Sequence, residues 1–253
     1  MTADLSITIW PLIAGILIIL SHVPLGNEVF RRQIIFIDIS LAQFATLGII
    51  IAKLLHLPKF FEFSLPYIVA IIAASILSKT DTRFRHCQEA IIGSSFIFAS
   101  CLCLILLNYD PHGATELKYL LEGNLIFASK SNIAFLLLSY IMAIFILLIF
   151  KKNISKIFYI IFAIIVTSSV KIAGIYLVFS FLIIPAFFAT KFTNFKHQYI
   201  SGTLISITSL IIGIAISLKF DIAIGLSTSL ALIMISIFSC FIAGNVQKVK
   251  SQT

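Results

Sequence analysis

Hydrophobic residues fill 60% of the 253 positions and charged residues only 11%, so the chain lacks the polar surface that a water-soluble globule needs. A helix crossing the hydrocarbon takes roughly 20 apolar residues. That leaves room for about eight to ten crossings and for no hidden soluble domain. The formal net charge of +8 does not point to nucleic acid, because the basic residues form small clusters between apolar runs instead of one stripe.

The N-terminal MTADLSITIW carries an acid, no basic n-region and no following small-residue cleavage site, so the first apolar run is expected to remain as a span. Apolar runs place spans at about 7–23, 34–55, 64–78, 90–107, 133–150, 199–218 and 222–244. The remaining run, 157–190, would be roughly 50 Å long as one helix against a hydrocarbon core of about 30 Å. It contains Lys171 and Gly174 near its middle, so we divide it into spans at 157–168 and 175–190, turning within 168–174. The expected architecture is an all-α, polytopic transmembrane bundle of about 8–9 spans forming one domain over 1–253.

Cytoplasmic loops retain basic residues. With nine spans and the N-terminus outside, the inner side receives Arg31, Arg32, Lys79, Arg83, Arg85, Lys151, Lys152, Lys156, Lys191, Lys196, Lys248 and Lys250, twelve of the eighteen basic residues. An undivided 157–190 span would put the last four outside. The C-terminus is accordingly expected in the cytoplasm. Trp10 and several tyrosines suit an interfacial belt, and Lys171 can snorkel from its turn to the outer surface.

Ionisable groups inside spans cost several kcal/mol unless paired, neutralised or wetted. Asp38 is the clearest case, in DISLAQFATLG (38–48) with Ser40 and Gln43 as further oxygen donors. Either these groups line a path for a polar or cationic solute, or Asp38 pairs with Arg31 or Arg32. In the outer loop, PHGATELKYLLEG (111–123) spaces His112 and Glu116 four apart, which would put them on one helix face. Imidazole with carboxylate suits zinc, manganese or iron, although the same spacing is common on solvated helices. Glu28 has similar standing between the first two spans. His22, His56, His86 and His197 sit at span ends or in loops, where solvated histidines are ordinary.

Cys87, Cys101, Cys103 and Cys240 lack CxxC spacing and are expected to be small buried hydrophobes. No GxxxxGK[ST], HExxH or GxSxG occurs, so ATP cannot be bound in the Walker manner and a nucleophilic or zinc-protease site has no motif. The chain is expected not to be an enzyme.

DISLAQFATLG, EAIIGSSF (89–96), YLLEGNL (119–125) and above all KIAGIYLVFSFLIIPAFFATKF (171–192) resemble the metal-type ABC permease family. The likeness runs from about residue 15 to 244. It implies a type II-like importer permease of the bacterial inner membrane carrying zinc, manganese or iron. Implied partners are cytoplasmic ATPase chains that hold the ATP, a second permease chain, most simply an identical one, and an external or periplasmic metal-binding protein. No cofactor is permanently bound. The residues matching the family's ATPase-coupling segment, a short cytoplasmic helix, are Pro185, Ala186, Phe187, Phe188, Ala189 and Thr190.

The family's second span has an aspartate and a histidine four apart in D-x-L-A-H-A. Here Gln43 takes the histidine's place and Asp38 lies five residues before it, a rotation of about 140° that separates them on a regular helix. Ligands can then lie partly elsewhere, at His112 and Glu116, or the substrate differs. Two other readings remain. An ion-gradient-driven carrier would use Asp38 and Lys171 for coupling, but no internal repeat is evident. An ABC permease for a larger chelated cargo would have a wider path and a longer chain.

Overall fold

The computed structural model describes residues 2–149, 154–192 and 194–250. Every regular element among these residues is helical: α1 (Thr2–Arg32), α2 (Ile37–Leu54), α3 (Lys59–Arg83), α4 (Gln88–Leu107), α5 (Gly113–Glu122), α6 (Lys130–Ile149), α7 (Ile154–Ala189), α8 (Phe195–Phe220) and α9 (Ile224–Lys250). Six of the helices contain stretches long and apolar enough to cross a bilayer, and α6 and α9 contain shorter apolar ones. In lipid a helix satisfies its backbone groups internally, which is why apolar sequence of this length folds this way. Several helices outrun their apolar stretches. α1 continues to Arg32 and α3 to Arg83, because polar end turns keep their i→i−4 bonds after the hydrophobic run stops.

The 36-residue α7 is interrupted at Gly174, whose φ of 77° and ψ of 167° are not helical. Its first half (154–173) and second half (175–189), here α7a and α7b, run in opposite directions. Near one end Arg32 lies 4.3 Å over the Phe158 ring, and near the other Phe30 meets Phe187 with ring centroids 6.5 Å apart. A straight helix would separate 158 from 187 by roughly 43 Å, yet both touch the last turn of α1. Counting the two halves, nine segments among the described residues run between the ends of the bundle.

At the turn, Gly174 is pressed against the backbone of Gly123 at the end of α5, and the Asn124 amide donates to the Ile172 carbonyl at 3.1 Å. Both glycines have positive φ. A side chain at either would meet backbone, not a yielding side chain. Two constraints therefore meet at Gly174: a left-handed backbone and a crossing with no room for Cβ.

α7 forms the axis of the bundle and packs against α1, α2, α3, α5, α6, α8 and α9. Tyr159, Phe162 and Phe181 are its largest fully buried side chains. One end of the bundle gathers the last turn of α1, the starts of α2 and α4, and both termini of α7; the Phe36 amide there donates to Glu89 Oε1 at 3.0 Å. The opposite end gathers α5, the Gly174 turn and the start of α6, where Lys130 lies 5.5 Å from the Trp10 ring.

The cysteines depart from expectation. Only Cys103 is buried, while Cys87 and Cys101 are exposed, and the Cys240 side chain lies outside the described residues. Two residues along a helix turn about 200°, so Cys101 faces out of the same helix whose Cys103 thiol points at the Gln43 carbonyl, 3.8 Å away.

Gly174→Ala is expected to lower unfolding stability by about 2–5 kcal/mol, from left-handed strain plus overpacking. The readout is the thermal midpoint of the detergent-solubilised chain. An unchanged midpoint would mean that the turn tolerates a Cβ and that this packing is misdescribed.

Candidate functional site

Asp38 occupies the first turn of α2 and is fully buried. Neither of its carboxylate oxygens has a hydrogen-bond partner. The arginines that could have neutralised it are engaged elsewhere, Arg31 with Glu28 at 2.6 Å and Arg32 with Glu28 at 2.7 Å. This spacing is i, i+3 and i, i+4 on the last turn of α1, so the two cations and their acid are held by one helix. Asp38 is left with only the positive end of the α2 dipole. Glu28 thus belongs to an ion cluster at the Arg31 end, on the wall of a cavity of about 310 Å³ shared with Asn27, Ala186, Thr190 and Gln198.

Along α2 the polar groups are spread around the helix and not gathered into a cage. Ser40 Oγ lies 2.7 Å from Ser95 Oγ of α4. Gln43 is 8% exposed, about 7.5 Å further along the axis than Asp38. α2 is continuous α-helix from Ile37 to Leu54, so no bulge brings Asp38 and Gln43 onto one face. Among the described residues no group of three or more His, Cys, Asp and Glu side chains converges tightly enough to hold a metal ion.

His112 and Glu116 lie at the opposite end. His112 is the exposed N-cap residue of α5, and its carbonyl accepts from the Glu116 amide at 3.0 Å. The Glu116 carboxylate is bound by the Lys53 ammonium at the end of α2, a partner 63 residues away that local spacing could not reveal. Asp38 and Lys53 are fifteen residues apart on α2, which is about 22 Å. The structure therefore separates His112 and Glu116 from Asp38 and Gln43. A cavity of about 380 Å³ opens beside Glu116, lined also by Lys53, Glu62, Asn124 and Lys171. Lys171 does not reach freely into solvent: its ammonium donates to the Phe63 carbonyl at 2.9 Å and lies 4.4 and 4.8 Å from the Phe63 and Tyr67 rings.

Residues 185–189 are not a separate short helix but the last turns of α7b, and Thr190 begins the connection to α8. Pro185, Ala186 and Ala189 face inward, Phe188 is half-buried, and Thr190 is exposed. Phe187 projects, 58% exposed. One feature that charge counting passed over is His22, fully buried in α1 instead of lying at a wetted span end.

The ABC 3 transport family matches over residues 4–158 and 152–243, and the chain belongs to that family. PsaBC from Streptococcus pneumoniae, solved in complex with Fab, is similar in fold: TM-score 0.73, 18% identity, covering 96% of this chain and 94% of that one. A structure described as an inward-facing metal-chelate type ABC transporter aligns with TM-score 0.66 at 14% identity, over 90% of this chain and 85% of that one. Comparison with curated protein sequences finds no match. The protein is thus a membrane permease of the ABC 3 transport family.

A carboxylate buried without partners destabilises the fold. Asp38→Asn is expected to raise stability by about 1–3 kcal/mol, because an amide carries no charge to desolvate. Thermal unfolding of the two purified chains checks this; a lower midpoint for the variant would reveal a stabilising partner for the carboxylate.

Proposed function

We propose that the chain is the conducting subunit of an ATP-driven importer of divalent transition metal ions, of the zinc, manganese or iron class. The observation that carries this reading is Asp38, a fully buried and unpartnered carboxylate on a membrane helix, with the neighbouring arginines held by Glu28. A carboxylate left open in this way destabilises the protein unless a cation visits it. Gln43 and the Ser40 hydroxyl extend the oxygen donors along α2. Glu116 and His112 stand at the far end, where an ion would arrive, and Glu116 would exchange Lys53 for the ion.

We place the N-terminus outside and the Arg31 end in the cytoplasm, following the positive-inside rule. That puts Pro185, Ala186, Phe187, Phe188, Ala189 and Thr190 on the side of the ATPase partner, with the projecting Phe187 as the natural contact. The nucleotide belongs to that partner, since this chain has no phosphate loop. Two copies of this chain would flank the path, and an external metal-binding protein would deliver the ion at the Glu116 end.

In proteoliposomes containing the full complex, Asp38→Ala is expected to reduce metal uptake at least about tenfold, comparable to the loss of a metal-supporting group. His112→Ala should reduce it less, because an exposed loop ligand has more substitutes. Uptake equal to wild type in the Asp38 variant would remove the carboxylate from the path. Phe187→Glu should leave the isolated chain folded while abolishing co-purification of the ATPase; retained ATPase would displace the proposed docking surface.

A further inference from the structure

His22 lies on α1 seven residues after Gly15 and four before Gly26, so the three share a helix face. Gly15 packs on Leu210 of α8, and Gly26 packs against the Leu182 carbonyl of α7b. His22 therefore points into the seam of α1, α7b and α8, with no exposed surface. It is ten residues from Arg32, about 15 Å along the axis, and hence near mid-depth of a hydrocarbon core of about 30 Å.

The hydrogen bonds fix the tautomer. His22 Nδ1 lies 2.9 Å from the Ile18 carbonyl oxygen, which can only accept, so Nδ1 carries the proton and donates it. Ser21 Oγ packs 2.9 Å from the same nitrogen and holds the ring in orientation. In the neutral ring the lone pair is then on Nε2, and Nε2 is buried without any partner. Leaving a buried polar atom unsatisfied costs about 1–3 kcal/mol, so the free nitrogen is a place where a ligand would be stabilised. One nitrogen donating to a backbone carbonyl while the other presents a free lone pair is the arrangement of metal-ligating imidazole.

Thr203 Oγ1 of α8 also lacks a partner, as does Asn27 Nδ2, but Asn27 belongs to the Glu28 cavity, about 140° around α1 from His22. Gly202 packs on Val23, the residue after His22, which brings that turn of α8 beside this turn of α1. Ser206 and Ser209 of α8 are different, because their hydroxyls donate to the Gly202 and Ile205 carbonyls at 2.8 and 2.7 Å.

We propose that His22 Nε2 is a ligand for the ion that this permease conducts, a second station set apart from Asp38. This rests on the metal-import reading above and narrows its substrate class. Imidazole selects borderline transition ions over calcium or magnesium. Binding forms one Nε2–metal bond in place of one bound water and releases no proton. A single imidazole holds an ion weakly enough to release it, as conduction demands.

The test uses full-length chain in nanodiscs loaded with Cu²⁺ as the spectroscopic probe. Pulsed EPR detects coordinated imidazole through its remote nitrogen. A variant with His56, His86, His112 and His197 all changed to Gln retains His22 alone and is expected to keep the remote-nitrogen modulation. Adding His22→Gln should abolish it and weaken Cu²⁺ binding at least about tenfold. A His22-only chain without modulation overturns the proposal, as does modulation that survives His22→Gln in that background. Uptake by the full complex separates the two readings. If His22→Gln transports like wild type while Asp38→Ala does not, the importer stands and the His22 station falls.

Discussion

In lipid a backbone amide must find its partner within the protein, and at Gly174 the backbone of α7 leaves its helical conformation. α7 enters and leaves at the same end of the bundle, so its backbone must reverse between two helical halves. Paired glycines allow this: Gly174 and Gly123 are backbone against backbone, and the Asn124 amide reaches the Ile172 carbonyl. Because α7 touches nearly every other helix, the placement of α1, α2, α3 and α8 depends on this crossing.

Polar side chains inside the bundle divide into two kinds. Ser168 and Ser169 donate to the Ile164 and Ile165 carbonyls one turn back, at 2.7 and 2.9 Å, and receive Tyr67 and Tyr140 hydroxyls as neighbours. Such hydroxyls are satisfied by their own helix and sit anywhere in it. A carboxylate has no donor for a helix carbonyl, and an imidazole can satisfy only one nitrogen there. Both Asp38 oxygens and His22 Nε2 are buried without partners, as are several hydroxyls, among them Thr46, Thr167 and Thr228 Oγ1; of these groups only the carboxylate and the imidazole can carry a charge.

The sequence carried the crossings plainly, because apolar length and hydrocarbon thickness are the same physical quantity. The reversal in α7 was legible too, since a run of this length containing Lys171 and Gly174 cannot be one span. Partners were not legible. Arg31 and Arg32 lie seven and six residues from Asp38 but only three and four from Glu28, and helical phase on α1 brings them to Glu28. The Lys53 contact to Glu116 depends on where α2 ends relative to α5, which only tertiary packing fixes. His22 looked like a wetted span end because the apolar run thins beyond Val23; α1 instead continues for two further turns, and the residue is drawn to mid-depth. Cys101 was misjudged for a related reason: apolar character shows that a residue is in the membrane, not whether it faces lipid or protein.

The same packing couples α1 mechanically to α7b. α1 and α7b meet without side chains between them at Gly26 and Leu182, and further along at Phe30 and Phe187. A close backbone contact transmits displacement because packed interiors hardly compress. Force applied at 185–190, where we place the ATPase, therefore moves α1 together with α7b. α1 carries both Glu28, which holds the arginines away from Asp38, and His22, which faces the α7b seam. A shift of this pair would alter the neighbours of Asp38 and His22 at once, so one motion could change the environment of both buried groups without any direct contact between them.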